Sequence, residues 1–174
     1  MHCPVLNSLR GAAAPIEDML ARDINVCLGL DNYFGDPFDV MRACISVARV
    51  RNKDATFLSA TDALRFFTIN AARAMGMDKD IGSIEVGKKA DLQLVNLKGF
   101  GTSPVTDPVS TLVYHGHSSN VDTVLVDGEF VVREGELLTD SEEKLVNEVQ
   151  EVSDRVWKRF SERFPELTGE QKAA

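Results

Sequence analysis

The chain has 174 residues, 44% of them hydrophobic, enough to bury one core or slightly more than one. A formal charge of −8 excludes nucleic acid and anionic membrane surfaces as partners, because both attract a positive face. Cys3, Cys27 and Cys44 are odd in number and lack Cys-x-x-Cys spacing, which excludes a disulfide framework or zinc knuckle and points to a reducing, cytoplasmic setting; no apolar run approaches the ~20 residues of a membrane span.

The spacing predicts a short helix after Pro15, since proline suits a first turn and Glu17 and Asp18 favour its positive end. Ile24 to Leu30 is a compact apolar run without helical spacing, and it predicts a buried parallel strand. Asp36-Pro37 opens a second helix, with Val40, Met41, Cys44, Val47 and Ala48 on its inner face. A third opens at Ser59 with a Ser-x-x-Asp cap to Asp62. It turns Ala63, Phe66, Phe67, Ala71 and Ala74 inward until Gly76 ends it.

After Gly76 the pattern becomes β-rich. Strands are predicted at Ala90 to Leu97 and Val121 to Val126, with Asp127-Gly128 as a hairpin turn and Glu129 to Val132 as the return strand. From Ser141 to Phe164, Leu145, Val149, Val152, Val156, Trp157 and Phe160 recur at helical steps, predicting a terminal helix with an apolar face to cover. Gly169 to Ala174 reads as a disordered tail.

Three groups carry candidate chemistry. Asp31 follows the apolar run and precedes Asn32-Tyr33-Phe34-Gly35; such an aspartate serves either as a loop cap or as a reactive carboxylate at a strand's carboxyl end. His2, beside Met1, reads from the residues alone as a solvated terminal residue. His115-Gly-His117 is either a surface loop, the preferred reading, or a zinc-competent pair on one face of a strand. Cys27 and Cys44 read as core residues, and Asp91 as a structural turn or cap.

The stretch from Ile81 to Leu97, IGSIEVGKKADLQLVNL, resembles the carboxy-terminal seam of the amidohydrolase superfamily, in its aminohydrolase and chlorohydrolase branch. His2-Cys3-Pro4 with Asn7 and Val26 to Asn32 resemble that family's seventh and eighth barrel strands, and Asp107 to Tyr114 and Val121 to Gly128 its closing segments. The resemblance implies an α/β fold: the carboxy-terminal portion of a metal-dependent (β/α)₈ hydrolase barrel plus part of a flanking β-sandwich. Residues 1–80 would be the last strands and helices of the barrel, 81–138 a sandwich segment with a loop returning to the barrel, and 139–174 a terminal helix and tail. A complete barrel needs about 250 residues, so the chain is expected to be a fragment.

By the same resemblance Asp31 is the catalytic and metal-binding aspartate, where the family's usual Gly-Thr-Asp is Gly29-Leu30-Asp31, and His2 and Asn7 contact substrate, with Leu6 where members carry serine. The implied cofactor is one divalent metal ion, zinc or iron, with its other ligands outside this sequence. The implied reaction is hydrolysis of a carbon–nitrogen or carbon–chlorine bond in a nitrogen heterocycle, with a cyclic amide as the alternative substrate class. The isolated chain is expected to be inactive, with a second copy or a missing amino-terminal half as partner. A split-enzyme subunit and a non-catalytic interaction remnant are the alternatives.

Overall fold

The computed structural model describes residues 1–31 and 35–168. Most of the expected Asn-Tyr-Phe-Gly loop, and the expected disordered tail, lie outside these residues. The chain divides into two units, Met1–Glu136 and Leu137–Ala174.

The first unit is α/β, with helices first and an antiparallel sheet after them. Helix α1, Pro4–Leu9, starts at a proline that presets the first turn. Residues 4–9 are therefore helical, and only His2 of the expected first strand pairs. Helix α2, Ile16–Leu20, follows Pro15 as predicted, and Ile16 is buried. The apolar run 24–30 is extended, but it makes a single parallel bridge, His2 with Leu28. The His2 amide donates to the Cys27 carbonyl at 2.7 Å and the Gly29 amide to the His2 carbonyl at 3.0 Å. Leu28 gives its own amide to the Phe66 carbonyl at 3.1 Å, so a helix end takes a donor that a neighbouring strand would otherwise use.

Helix α3, Pro37–Asn52, is the centre of the core. Asp36 caps it by accepting from the Phe38 amide at 2.8 Å, and Lys53 ends it in the left-handed region. Val40, Met41, Cys44 and Ala48 are buried as the spacing predicts, joined by Phe38 and Ile45, while Val47 is half-buried. Burying each of these larger side chains stabilises the fold by about 1.5–3 kcal/mol. Ser59 and Asp62 form the expected capping box at the start of helix α4, Ala60–Phe67. The helix does not run through to Gly76. It breaks at Thr68, where ψ is −98°, and resumes as α5, Ile69–Ala74, so the inward alanine of the second piece is Ala72, with Ala71 half-buried and Ala74 exposed.

Strands β1, Leu92–Val95, and β2, Val121–Val126, pair antiparallel with Leu92 opposite Leu125. β2 turns through Asp127-Gly128, both at positive φ, into β3, Glu129–Arg133, as a type I′ hairpin requires. Glu134-Gly135 repeats the positive-φ pair before the two-residue β4, Glu136–Leu137, giving the sheet order β1-β2-β3-β4. The first hairpin tip is tied to the seam. The Asp127 amide donates to Asp91 at 2.7 Å, Lys89 Nζ donates to the Asp127 carboxylate at 2.9 Å, and the Gly128 amide donates to the Ala90 carbonyl at 3.1 Å.

Between β1 and β2 the chain forms helix α6, Pro108–His115, which packs on α3 and α4. The returning connection expected as a loop is thus partly helical. Its start signal, Asp107-Pro108, repeats the Asp36-Pro37 start of α3, and Asp107 accepts from the Val109 and Ser110 amides. Arg42 of α3 closes the other end by donating to the Val113 and Gly116 carbonyls at 3.2 and 2.7 Å, where a cation favours a helix terminus.

The second unit is helix α7, Glu142–Arg163, capped by Ser141, followed by the short α8, Pro165–Thr168. The predicted stripe forms on α7, with no residue of the helix buried.

Candidate active-site residues

Asp31 stands in the turn immediately after the extended run 24–30, exposed and with φ of 62°. Aspartate enters this left-handed region more readily than most non-glycine residues. The parallel pairing of His2 with Leu28 sets residues 1–3 beside residues 27–31, and the negative charge of Asp31 acts on the Cys3 thiol. Burial first, and then that charge, push the thiol above its ordinary value. The closeness of Cys3 to Asp31 was readable only by registering two parallel segments against each other.

His2 is buried, at 6% exposure, and its ring is held by Asn7, whose Nδ2 donates to Nδ1 at 3.2 Å. Burial, aided by the adjacent amino-terminal charge, lowers the pKa of His2, so the ring is neutral at pH 7. With Nδ1 accepting, the ring proton lies on Nε2, which is buried and has no partner among the described residues. An unmet buried donor of this kind costs about 1–3 kcal/mol. His2 and Asn7 line a cavity of about 150 Å³ together with Met19, Asn25 and Cys27, and Asp31 is not in its wall. The structure therefore brings His2 to Asn7, and Cys3 to Asp31, around one pair of segments.

His115 and His117 are both exposed. His115 ends α6 and His117 caps the short 3-10 turn Ser118–Asn120, so the two occupy a helix-to-turn junction rather than one face of a strand. Among the described residues, one group of three could hold a metal: Asp36, Asp39 and His117. Its members already have structural partners. Asp36 caps α3 and accepts from the Ser118 amide and hydroxyl, both at 3.1 Å, and Asp39 pairs with Arg42. Burial works to raise the pKa of Asp36, but these hydrogen bonds and the Arg42 charge hold it below the usual carboxylate value. Asp31 offers one donor, whereas a catalytic zinc takes three protein ligands, so the described residues do not by themselves complete such a site.

The described residues make an α/β fold with an antiparallel sheet, and the solved structures that resemble it include deaminases and hydrolases. An adenosine deaminase from Xanthomonas campestris, with bound zinc, matches with a TM-score of 0.85 and 32% identity over 90% of this chain and 37% of that one. Atrazine chlorohydrolase from Arthrobacter aurescens, complexed with zinc, matches at 0.75 and 26% identity over 86% of this chain and 34% of that one.

The chain belongs to the amidohydrolase family, which residues 1–131 match. Among curated relatives, the 5-methylthioadenosine/S-adenosylhomocysteine deaminase of Acetivibrio thermocellus is 39% identical over 161 residues, 90% of this chain and 37% of that protein. The 5'-deoxyadenosine deaminase of Methanothermobacter thermautotrophicus is 36% identical over 157 residues, 87% of this chain and 36% of that protein. The chain thus spans little more than a third of the length of these relatives.

Proposed function

We propose that this chain is the carboxy-terminal portion of a metal-dependent amidohydrolase that hydrolyses a carbon–nitrogen bond of a nitrogen heterocycle, with an aminopurine nucleoside as the favoured substrate. The observation that carries the reading is the 39% identity to a purine-nucleoside deaminase over 90% of the chain, a span that includes Asp31. Carbon–chlorine hydrolysis is the second reading, favoured by the likeness to atrazine chlorohydrolase.

In this reading, residues 1–80 are the last strands and helices of a (β/α)₈ barrel and 81–138 a segment of its β-sandwich. The parallel bridge between His2 and Leu28, with α1 and α2 as the crossover, supports that assignment. Asp31 supplies one carboxylate to a single divalent ion, zinc or iron, whose remaining ligands come from other sequence. The ion would supply an activated water when bound, and the Asp31 carboxylate would both help to hold that ion and accept a proton. His2 and Asn7 shape the pocket floor: Asn7 fixes the His2 tautomer, leaving the neutral ring as a donor. The compartment is the cytoplasm, in keeping with three free cysteines, and no described helix is long and apolar enough to cross a membrane.

A direct test joins this chain to the amino-terminal portion of the Acetivibrio deaminase in place of that enzyme's matched segment. The expected result is zinc-dependent ammonia release from 5'-methylthioadenosine or 5'-deoxyadenosine. A folded, zinc-loaded chimera that releases ammonia from neither, and no chloride from a chlorotriazine, leaves the non-catalytic reading.

The chain also self-associates in this reading, through α7. Leu145, Val149, Val152 and Val156 form an apolar stripe that is at least 37% exposed throughout. Residues 142–152 carry four carboxylates against one lysine, net −3, whereas 153–163 carry four cations against two carboxylates, net +2. Two antiparallel copies set each acidic half against a basic half. Sedimentation of the chain is expected to show a concentration-dependent dimer that Val152→Glu with Val156→Glu dissolves; a folded monomer at every micromolar concentration rules the helix pairing out.

A further inference from the structure

Two clefts of about 670 and 500 Å³ flank the α4–α5 break, and Arg65 and Arg73 line both. The break at Thr68 turns α5 relative to α4 and lets two arginines eight positions apart share these walls. Both side chains are exposed, and neither guanidinium makes a hydrogen bond or ion pair among the described residues. Arg42 and Arg49, by contrast, are consumed by backbone carbonyls.

The opposite wall of the larger cleft is the loop Gly82 to Lys88. Gly82 has φ of +91°, and a Cβ there would meet Ala72 Cβ at 2.7 Å, so only glycine lets the loop lie against α5. The amides of Gly82, Ser83, Val86 and Gly87 donate to no acceptor among the described residues. Lys88 pins the loop, its Nζ donating to the Asp78 carbonyl and Ser83 Oγ, both at 2.6 Å. The Glu85 carboxylate, one of the two acidic groups that oppose an anion here, is occupied by Ser83 Oγ and by Lys88 at 3.3 Å. Arg65, Arg73, Lys79 and Lys88 against Asp78 and Glu85 leave the cleft at +2 in a chain of −8.

We propose that this cleft binds a small phosphate-bearing anion, with the Arg65 and Arg73 guanidinia as the charged clamp and the Gly82 to Gly87 amides as further donors. Two forked guanidinia suit phosphate oxygens better than single carboxylates. Unpaired amides on a tight glycine loop form an anion-binding concavity. A cleft of this size also holds more than one phosphate group, and Ile69 and Val86 give it an apolar side. The proposal stands apart from the catalytic reading, since Asp31, His2 and Asn7 line neither cleft.

Isothermal titration of the full chain with inorganic phosphate, pyrophosphate and adenosine 5'-monophosphate tests it. The expected result is one saturable site, tighter for pyrophosphate than for phosphate if the site takes linked phosphates, and tightest for the nucleotide if the apolar wall takes a base. Arg65→Ala and Arg73→Ala are each expected to weaken the best ligand about tenfold or more, with the thermal unfolding midpoint unchanged because neither side chain has a structural partner. Arg10→Ala, an exposed arginine on α1's end, is the control and leaves binding unchanged. Absence of saturable heat with all three anions overturns the site, and so does an equal loss in the Arg10 variant, which marks diffuse charge attraction.

Discussion

Replacing Asp31 with asparagine is expected to reduce ammonia release by about 10³-fold or more, measured in the deaminase chimera that supplies the remaining ligands. Asparagine matches aspartate in size and, like it, tolerates the left-handed backbone that this position adopts at φ of 62°. Asp31 is also exposed, and the unfolding midpoint is measured alongside so that a change in fold is separated from a change in chemistry. Asp31→Ala adds a backbone penalty and serves as the harsher comparison. Zinc content separates the two roles proposed for the carboxylate. Loss of zinc with loss of activity marks a metal ligand, whereas full zinc with lost activity marks proton transfer alone. Undiminished ammonia release from a well-folded Asn variant removes Asp31 from the chemistry.

The second large effect concerns stability. Phe38→Ala is expected to destabilise the chain by about 3–5 kcal/mol, read as a fall in unfolding midpoint of about 10 °C or more. Phe38 is 4% exposed in the first turn of α3, and its ring lies 3.1 Å from where a Cβ on Gly116 would sit, at the end of α6. Its loss therefore opens a cavity where two helices meet. Val50→Ala on the same helix is 80% exposed and is expected to change little, within about ±0.5 kcal/mol. Equal effects from the two variants contradict the placement of the core around α3.

The parts of the fold that were legible in the sequence are those with local causes. Ser59 and Asp62 make a capping box in any context, and Asp127-Gly128 has few alternatives to a two-residue turn. The stripe on α3 follows from periodicity alone, with Ile45 replacing Val47 as the buried member. Other parts of the fold depend on contacts between distant segments. The run 24–30 has strand composition, but a ladder needs a partner on each side, and here one side ends on the Phe66 carbonyl. The Thr68 break falls in Phe66-Phe67-Thr68-Ile69-Asn70, residues of modest helix propensity, but no glycine or proline marks the point where the helix ends. Helix α6 carries in Asp107-Pro108 the same local start signal that Asp36-Pro37 gives α3.

Candidate chemistry was legible to a different degree. Asp31 was conspicuous by position after an apolar run, and His2 and Asn7 by resemblance. Their mutual arrangement depends on how residues 1–3 register against 27–31, which no single segment encodes. Arg65 and Arg73 read as ordinary helix-surface charges in sequence; only the kink at Thr68 and the glycine loop opposite give them a shared cleft.

The stapled hairpin tip bears on how this chain can be recombined with its relatives. A crossover placed between residues 91 and 127 takes Asp91 and Lys89 from one parent and Asp127 from another, and it separates the Ala90 carbonyl from the Gly128 amide. The seam and the hairpin are therefore inherited as one block. A breakpoint within residues 138–141, between β4 and α7, cuts none of these ties, and it is the natural place for exchanging the terminal helix between family members.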